Sequence, residues 1–266
     1  MNNIELAQKA KEIATKYKTL YVMGCFGAPM TDANKARYCK NHSYNKQASR
    51  QRMIKAASAD TFGFDCVCLI KGILWGWKGD KKKTYGGAIY AANNVPDIGA
   101  DAMITKCLNV SKEFKNIEIG EVVWCKGHIG IYIGDGLAVE CTPSWDNKVQ
   151  ITACNCSVKG YHRRNWTKHG KLPYIKYVSA ESTTKDGFFP ERGYFMKGDK
   201  SPNVAKIATF MRNAFPKYTN KKALGDVYGP YLMAAIKEFQ KRTGLTADGY
   251  IGPLTVKKME TFGFKK

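Results

Sequence analysis

Cys66, His128 and Glu140 are the residues whose types and order along the chain best suit catalysis. A thiol at the start of a helix, next to an imidazole, has a lowered pKa and reacts as a nucleophile. Cys66 lies where such a helix is predicted to begin, and His128, at the start of a glycine-flanked strand, can act as its base. Glu140 on the next strand can accept the second ring N–H and hold the imidazole in place. Together the three side chains predict a cysteine nucleophile, a histidine base and an orienting carboxylate.

A buried helix is predicted to start at Asp65 or Cys66, because apolar side chains then recur at helical spacing. These apolar residues are Cys66, Leu69, Ile70, Ile73, Leu74 and Trp77. Asp65 is suited to cap the helix, and contact with a substrate is the alternative role for its carboxylate. Cys68 lies two residues beyond Cys66, on the opposite helix face, and is expected to be structural.

An antiparallel sheet is predicted between residues 120 and 152, where four short apolar segments alternate with turns. Residues 134–136 (GDG) form the hairpin turn between the strands of His128 and Glu140. If that turn has three residues with Gly136 left-handed, Gly130 pairs with Glu140 and the glutamate shares a sheet face with His128. A two-residue turn would move Glu140 to the opposite face. The register therefore decides whether the two side chains meet.

At these positions the sequence resembles the NlpC-like family of papain-fold cell-wall peptidases. Residues 65–70 (DCVCLI) match the family's nucleophile motif, and residues 128–134 (HIGIYIG) match its base strand, which is followed by a third polar residue, here Glu140. A tyrosine segment ahead of the nucleophile is matched by residues 21–25 (YVMGC). The resemblance covers roughly residues 5–155. It implies an oxyanion or substrate-positioning role for Tyr21, and Asp65 is placed with it as a second positioning candidate.

Three departures separate this chain from the family pattern. Cys68 takes the place of the motif's glycine, and Glu140 that of the commoner histidine. Residues 31–59 lengthen the gap between tyrosine and nucleophile. This basic insertion is predicted to be a solvated surface loop or helix that can form a lid over the cleft. Trp145, after the third strand, is a candidate for lining that cleft, and a buried core position is the alternative.

The C-terminal part contains an internal repeat. Gly-Pro pairs at residues 229–230 and 252–253 are each followed by apolar residues at identical offsets, and Ser201-Pro202 opens an earlier helix. The pattern predicts three short helices around one small core. It resembles the peptidoglycan-binding module of wall hydrolases. The matching residues are Phe239, Gln240, Gly244, Leu245, Asp248, Gly249, Gly252 and Thr255.

The predicted fold class is α+β. Residues 1–178 are expected to form a papain-like catalytic domain with a central antiparallel sheet and an N-terminal helix that carries the nucleophile. Residues 179–188 form a linker, and residues 189–266 form a small all-α domain of three helices.

The chain carries 43 Lys and Arg against 22 Asp and Glu, a formal net charge of +21. An excess of this size predicts a polyanionic partner, which can be nucleic acid, an anionic membrane or an anionic wall polymer. Because both resemblances point to walls, we expect bacterial peptidoglycan as the partner, with anionic wall polymers as a further candidate. We expect neither nucleic acid nor membrane as a partner, and a monomer.

No metal and no cofactor are expected. The nine cysteines contain no CxxC pair, which argues against a disulfide framework and a standard zinc site. Cys154 and Cys156 with His162 are the weak candidates for metal ligands, and a loop after a strand is the alternative. His42, His162 and His169 lie in basic polar stretches and are expected to be exposed.

The first twenty residues contain no uninterrupted apolar segment, so synthesis in the cytoplasm without a signal peptide is expected. The resemblance to phage-type lysins implies release to the wall through a holin.

The predicted activity is that of a peptidoglycan hydrolase, of the endolysin or autolysin type, that cleaves an amide bond of the stem peptide through a cysteine thiolate. An N-acetylmuramoyl-L-alanine amidase with the same site is the alternative among enzymes. A non-catalytic wall-binding protein and a nucleic-acid-binding protein are the alternatives from other classes.

Overall fold

A computed structural model describes residues 1–178, 188–190, 193–219, 225–245 and 247–266. The chain divides into two compact units, Met1–Tyr177 and Val178–Lys266. Nearly all of the predicted linker, residues 179–187, lies outside the described residues.

The first unit combines six α-helices with ten strands in the described residues. The helices are α1 (Asn3–Lys16), α2 (Asp32–Lys40), α3 (Ser43–Lys46), α4 (Ala48–Ala56), α5 (Cys66–Leu74) and α6 (Ala100–Lys106). The strands are β1 (Thr19–Tyr21), β2 (Phe26–Pro29), β3 (Phe62–Phe64), β4 (Leu108–Ser111), β5 (Val122–Cys125), β6 (His128–Gly134), β7 (Leu137–Thr142), β8 (Lys148–Cys154), β9 (Arg163–Arg164) and β10 (Lys168–Lys171).

The large sheet has the strand order β4-β10-β5-β6-β7-β8-β9. Its neighbouring strands are antiparallel except for β8 and β9, which run parallel. A separate small sheet has the order β1-β3-β2. This arrangement confirms the α+β class and the central antiparallel sheet. The helix that begins with Cys66 is the fifth helix and not an N-terminal one, because α1 precedes β1 and the insertion forms three more.

Helix α5 is buried along its whole length. All nine of its residues are buried, and apolar side chains of α1, β6 and β7 share its core. Burial of each leucine or isoleucine side chain contributes about 1.5–3 kcal/mol. This packing holds the N-terminus of α5 against the large sheet, next to the strand that begins with His128.

The hairpin between β6 and β7 has the predicted register but a different turn. Gly130 pairs with Glu140 as predicted, whereas Gly134 pairs with Leu137 across a two-residue turn. Asp135 and Gly136 both have positive φ, 54° and 70°, as a type I′ turn requires. An irregularity between Tyr132 and Gly134 inserts one extra residue into β6. The three-residue turn was therefore wrong, but the bulge restores the register and keeps Glu140 on the face of His128.

The insertion folds into α2, α3 and α4. Most of its residues are exposed, as predicted for a helical surface segment, but a few positions on these helices are buried. Its apolar residues Tyr38, Cys39 and Ile54 pack with Val22 and Met30 in a core of their own. Two polar side chains of the insertion are buried as well, at Asn45 and Arg50. Charge and polarity alone predict exposure, and they miss these two positions because each side chain forms hydrogen bonds with residues outside the insertion.

Arg50 connects the insertion to the strand that carries Tyr21. Its Nη1 donates to Oδ1 of Asn147 at 2.7 Å, and its Nη2 donates to the backbone oxygen of Tyr21. The backbone N–H of Tyr21 donates in turn to the backbone oxygen of Asn147 at 3.0 Å. These three hydrogen bonds thus join helix α4, strand β1 and the loop that contains Asn147.

Replacing Arg50 with alanine is expected to lower the free energy of unfolding of the first unit by about 2–4 kcal/mol, because two acceptors lose a charged donor. Arg52 on the same helix is exposed, and Arg52→Ala should stay within about 0.5 kcal/mol of the parent. All five tryptophans lie in the first unit, so urea unfolding followed by tryptophan fluorescence reports on that unit alone. Equal midpoints for the two variants would contradict the anchoring role.

The second unit is helical, as predicted. It contains α7 (Pro202–Ala214), the short α8 (Pro216–Thr219), α9 (Pro230–Arg242) and α10 (Pro253–Glu260). The three longer helices have proline in the first turn, after Ser201, Gly229 and Gly252 as N-caps, where the missing N–H needs no partner. Their apolar faces meet in one core.

Gln240 forms hydrogen bonds with the other polar residues of the sequence motif in this unit. Its Nε2 donates to Oδ1 of Asp248, the backbone oxygen of Tyr250 and Oγ1 of Thr255, at 3.0, 2.8 and 3.2 Å. Its Oε1 accepts from the backbone N–H of Gly249 at 2.9 Å. Most polar residues of the motif therefore bond to one another and stabilise the turn between α9 and α10.

Candidate functional site

The site begins with the N-cap of α5. Oδ1 of Asp65 accepts from the backbone N–H of Cys68, and Oδ2 accepts from that of Gly24, both at 2.7 Å. The Asp65 carboxylate is buried, and both of its oxygens accept hydrogen bonds from backbone N–H groups. This geometry favours the capping role over substrate contact, and it fixes Cys66 as the first residue of the helix.

Cys66 is buried, with 8% of the residue exposed. Burial, and then the charge of Asp65, raise its pKa to about 12, while the backbone N–H groups of Ile129 and Val67 act in the opposite direction. The lowered pKa expected from the helix start is therefore not found, because desolvation outweighs the helix N-terminus. At neutral pH Cys66 is a thiol, and it needs a base.

His128 begins the strand β6, which packs against α5. Ring Nε2 lies 2.6 Å from Oε2 of Glu140, whose side chain is 0% exposed. With Nε2 as donor, Nδ1 is the nitrogen that can accept a proton. The Cys66 thiol lies near the backbone N–H of Ile129, the residue after His128. No hydrogen bond joins Cys66 to His128 in the described part of the chain.

Glu140 has two further partners. Thr152 Oγ1 donates to its Oε1 at 2.7 Å. The Arg164 guanidinium donates from Nε to Oε1 and Oε2 at 3.2 and 3.1 Å, and from Nη2 to Oε2 at 2.8 Å. Burial raises the pKa of the carboxyl, but the hydrogen bonds from His128 and Arg164 outweigh it and lower the pKa below its ordinary 4.5. Glu140 is thus ionised at neutral pH.

Arg164 is the site residue that sequence reasoning missed. It lies on a two-residue strand that pairs with the end of β8, within a basic polar stretch. A strand this short has no period-2 pattern, so no local signal marks it.

Aromatic rings surround the charged group. The buried Trp166 stacks on the His128 ring with centroids 5.4 Å apart and planes 8° apart. Trp145 lies 4.7 Å from Cζ of Arg164 and stacks on His162 at 5.0 Å. Trp145 is 42% exposed, so it is not a core residue and lies at the surface next to the catalytic candidates.

Tyr21 lies close enough to Cys66 for the two to interact electrostatically. Burial, and then the charges of Cys66 and Asp65, raise its pKa well above the ordinary value. The phenol therefore keeps its proton and can donate a hydrogen bond. Its oxygen lies 3.9 Å from Sδ of Met23, and its ring packs edge-to-face on Tyr44. Its role in oxyanion stabilisation stays a prediction.

The remaining histidines differ in environment. His42 and His162 are exposed, as predicted. His169 is buried, so its predicted exposure was wrong: Nδ1 contacts the Glu121 carboxylate, and Nε2 contacts the backbone oxygen of Glu113 at 3.1 Å. Strand β10 lies inside the sheet between β4 and β5, which places this imidazole in the interior.

Within the described ranges, no group of three or more His, Cys, Asp or Glu side chains could hold a metal ion. Cys154, Cys156 and His162 form no such group. Over the same ranges, no helix combines the length and apolar content needed to cross a bilayer.

Residues 213–259 match a family model described as "Putative peptidoglycan binding domain". The match runs from the end of α7 to the end of α10 and contains the Gln240 turn. It confirms the class predicted for the second unit, a peptidoglycan-binding module. No curated protein sequence matches the chain significantly.

Two solved structures similar to this chain are NlpC2 and NlpC1 from Trichomonas vaginalis, at 14% and 13% identity. Each match covers 64% of this chain and has a TM-score of 0.32. The chain spans less than half the length of these proteins, 46% and 44%.

Proposed function

We propose that this chain is a peptidoglycan hydrolase that cleaves an amide bond of the wall peptide with Cys66 as nucleophile. The observation that carries the proposal is the contact between His128 and the buried carboxyl group of Glu140. The strand of His128 packs against the helix that begins with Cys66. The peptidoglycan-binding match in the same chain supports the choice of substrate.

In the proposed reaction, Nδ1 of His128 takes the proton of the Cys66 thiol as the sulfur attacks the amide carbonyl carbon. Glu140 stabilises the imidazolium. The C–N bond then breaks, and the amine leaves with the proton from His128. Water, deprotonated by the same nitrogen, hydrolyses the thioester and regenerates the thiol. The protonated Tyr21 phenol is the proposed donor to the oxyanion.

Mass spectrometry of digested walls tests the proposal and identifies the bond. New amino groups on stem-peptide residues beyond L-alanine would identify an endopeptidase. A free amino group on L-alanine, with a free carboxylate on the lactyl group, would identify an N-acetylmuramoyl-L-alanine amidase. Digestion by the parent protein but not by Cys66→Ala is expected in either case. A digest that is the same with and without the protein would contradict hydrolysis and favour a non-catalytic wall-binding protein.

The proposed partner follows from charge as well as from the module. A net charge of +21 is suited to the carboxylates of stem peptides and to anionic wall polymers. We further propose that the protein acts as a monomer after release by a holin-type route.

A chain shortened to end at residue 183 is expected to hydrolyse soluble wall fragments at the parent rate. On intact walls it should lose roughly 10-fold to 100-fold in rate, because the second unit supplies only local concentration. Turbidity clearing of purified walls and release of amines from soluble fragments measure the two activities. Equal clearing of intact walls by both chains would show that the second unit does not target the first.

A further inference from the structure

We propose that Arg164 is a positioning residue of the catalytic group. It pairs with Glu140 and offsets the negative charge beside His128, so that the carboxylate orients the imidazole through its hydrogen bond while favouring the imidazolium less. The kinetic consequence rests on the proposed function, but the electrostatic relation among the three side chains does not.

The contact between Arg164 and Glu140 has the geometry of a strong ion pair. Two guanidinium nitrogens reach both carboxylate oxygens, and bidentate pairs of this kind are both strong and geometrically specific. Nη2 of Arg164 also donates to Oγ1 of Thr142 at 3.2 Å. The neighbouring Arg163 is exposed and donates instead to Oδ1 of Asn165, which makes it a matched control.

Two indole rings hold the guanidinium in place. Cζ of Arg164 lies 4.7 Å from the Trp145 ring and 5.9 Å from the Trp166 ring. Trp166 also stacks on His128, so one ring contacts the base and the arginine together. Because these rings and the sheet exclude much of the surrounding water, charge interactions within the group are stronger than at an open surface.

The charge of Arg164 matters because the nucleophile is neutral. A lone buried carboxylate next to His128 would favour the imidazolium, and an imidazolium cannot accept the proton of the Cys66 thiol. With Arg164 paired to Glu140, the net charge beside the imidazole is zero. The glutamate still orients the ring through its hydrogen bond, and the base stays available.

Other titratable or charged groups around His128 belong to several elements. They are Asp65 and Cys66 at the start of α5, Asp101 on α6, Cys125 on β5, Lys126 in the turn, Glu140 on β7 and Arg164 on β9. Asp101 is engaged by the backbone N–H of Gly127 and by Nε1 of Trp124. Of these groups, Glu140 is the carboxylate that bonds to the ring.

The first test is an NMR titration of the His128 ring in the full-length Cys66→Ala protein, which needs no substrate. The chain has four histidines, and His128→Gln assigns the signal. Arg164→Gln should move the titration midpoint of His128 to higher pH by roughly one unit. Arg164→Lys keeps the charge and should leave the midpoint nearly unchanged, as should Arg163→Gln.

A second pair of variants keeps the test decisive if Arg164→Gln does not fold, since it leaves a buried carboxylate without its cation. Glu140→Gln should move the His128 midpoint to lower pH, and Glu140→Gln with Arg164→Gln, which removes both charges, should move it back up. An unchanged midpoint in Arg164→Gln, or equal midpoints in the single and double Glu140 variants, would overturn the proposal.

The kinetic readout separates this inference from the proposed function. With Cys66 restored, the acid limb of the pH–rate profile of Arg164→Gln should move to higher pH, whereas a purely structural role would lower the rate without moving the limb. Absence of hydrolysis in every variant, including the parent, would contradict the proposed function while the NMR result still decides the role of Arg164.

Discussion

Replacing Cys66 with alanine is expected to lower wall hydrolysis by roughly a thousandfold or more, because no other group in the site can form the covalent intermediate. The fold should persist, since the Asp65 cap is formed with the backbone N–H groups of Cys68 and Gly24 and does not involve the Cys66 sulfur. Turbidity clearing of purified walls measures the activity, and tryptophan fluorescence during urea unfolding measures the stability.

Cys68→Ala is the matched control for this experiment. Cys68 lies on the same helix and is buried, and its substitution should cost about 1–2 kcal/mol of stability with activity retained. Retained lysis in Cys66→Ala, or its loss in a folded Cys68→Ala, would show that the nucleophile has been assigned to the wrong thiol.

The sequence predicted the parts of the site that depend on regular periodicity. The apolar spacing after Asp65 predicted α5, and the three-residue turn assumed between β6 and β7 led to the pairing of Gly130 with Glu140 that the structure has. The type of turn could not be predicted from the sequence, since a two-residue turn with a bulge and a three-residue turn give the same register further along the strands.

Buried charged residues were not predictable, because their burial depends on partners distant in sequence. Arg50 is enclosed by contacts with Tyr21 and Asn147, and Arg164 bonds to a glutamate 24 positions earlier. His169 is enclosed with Glu121 in the same manner. The charges along such a segment predict an exposed basic surface. This prediction fails where the fold places an acceptor next to the charged side chain.

Glu140→Gln is expected to lower the turnover number by roughly 100-fold or more while the protein stays folded with a lower melting temperature. Glutamine can still accept from Nε2 of His128, but it carries no charge to stabilise the imidazolium that forms when Cys66 attacks. It also leaves the Arg164 guanidinium without its carboxylate. Glu140→His places an imidazole at this position, which can accept the hydrogen bond from His128, and it should recover part of the rate.

The pH dependence of this variant gives the clearest distinction. Loss of the carboxylate disfavours the imidazolium, so the acid limb of the pH–rate profile should move to lower pH as the maximal rate falls.

The pH dependence of stability should change as well. Because the pKa of Glu140 is lowered in the folded protein, its contribution is complete above the ordinary value of 4.5 and is lost as pH falls through the folded value. Glu140→Gln should remove that part of the acid sensitivity, which thermal melting between pH 3 and pH 7 can measure. Wild-type kinetics with an unmoved acid limb would mean that a residue other than Glu140 orients His128.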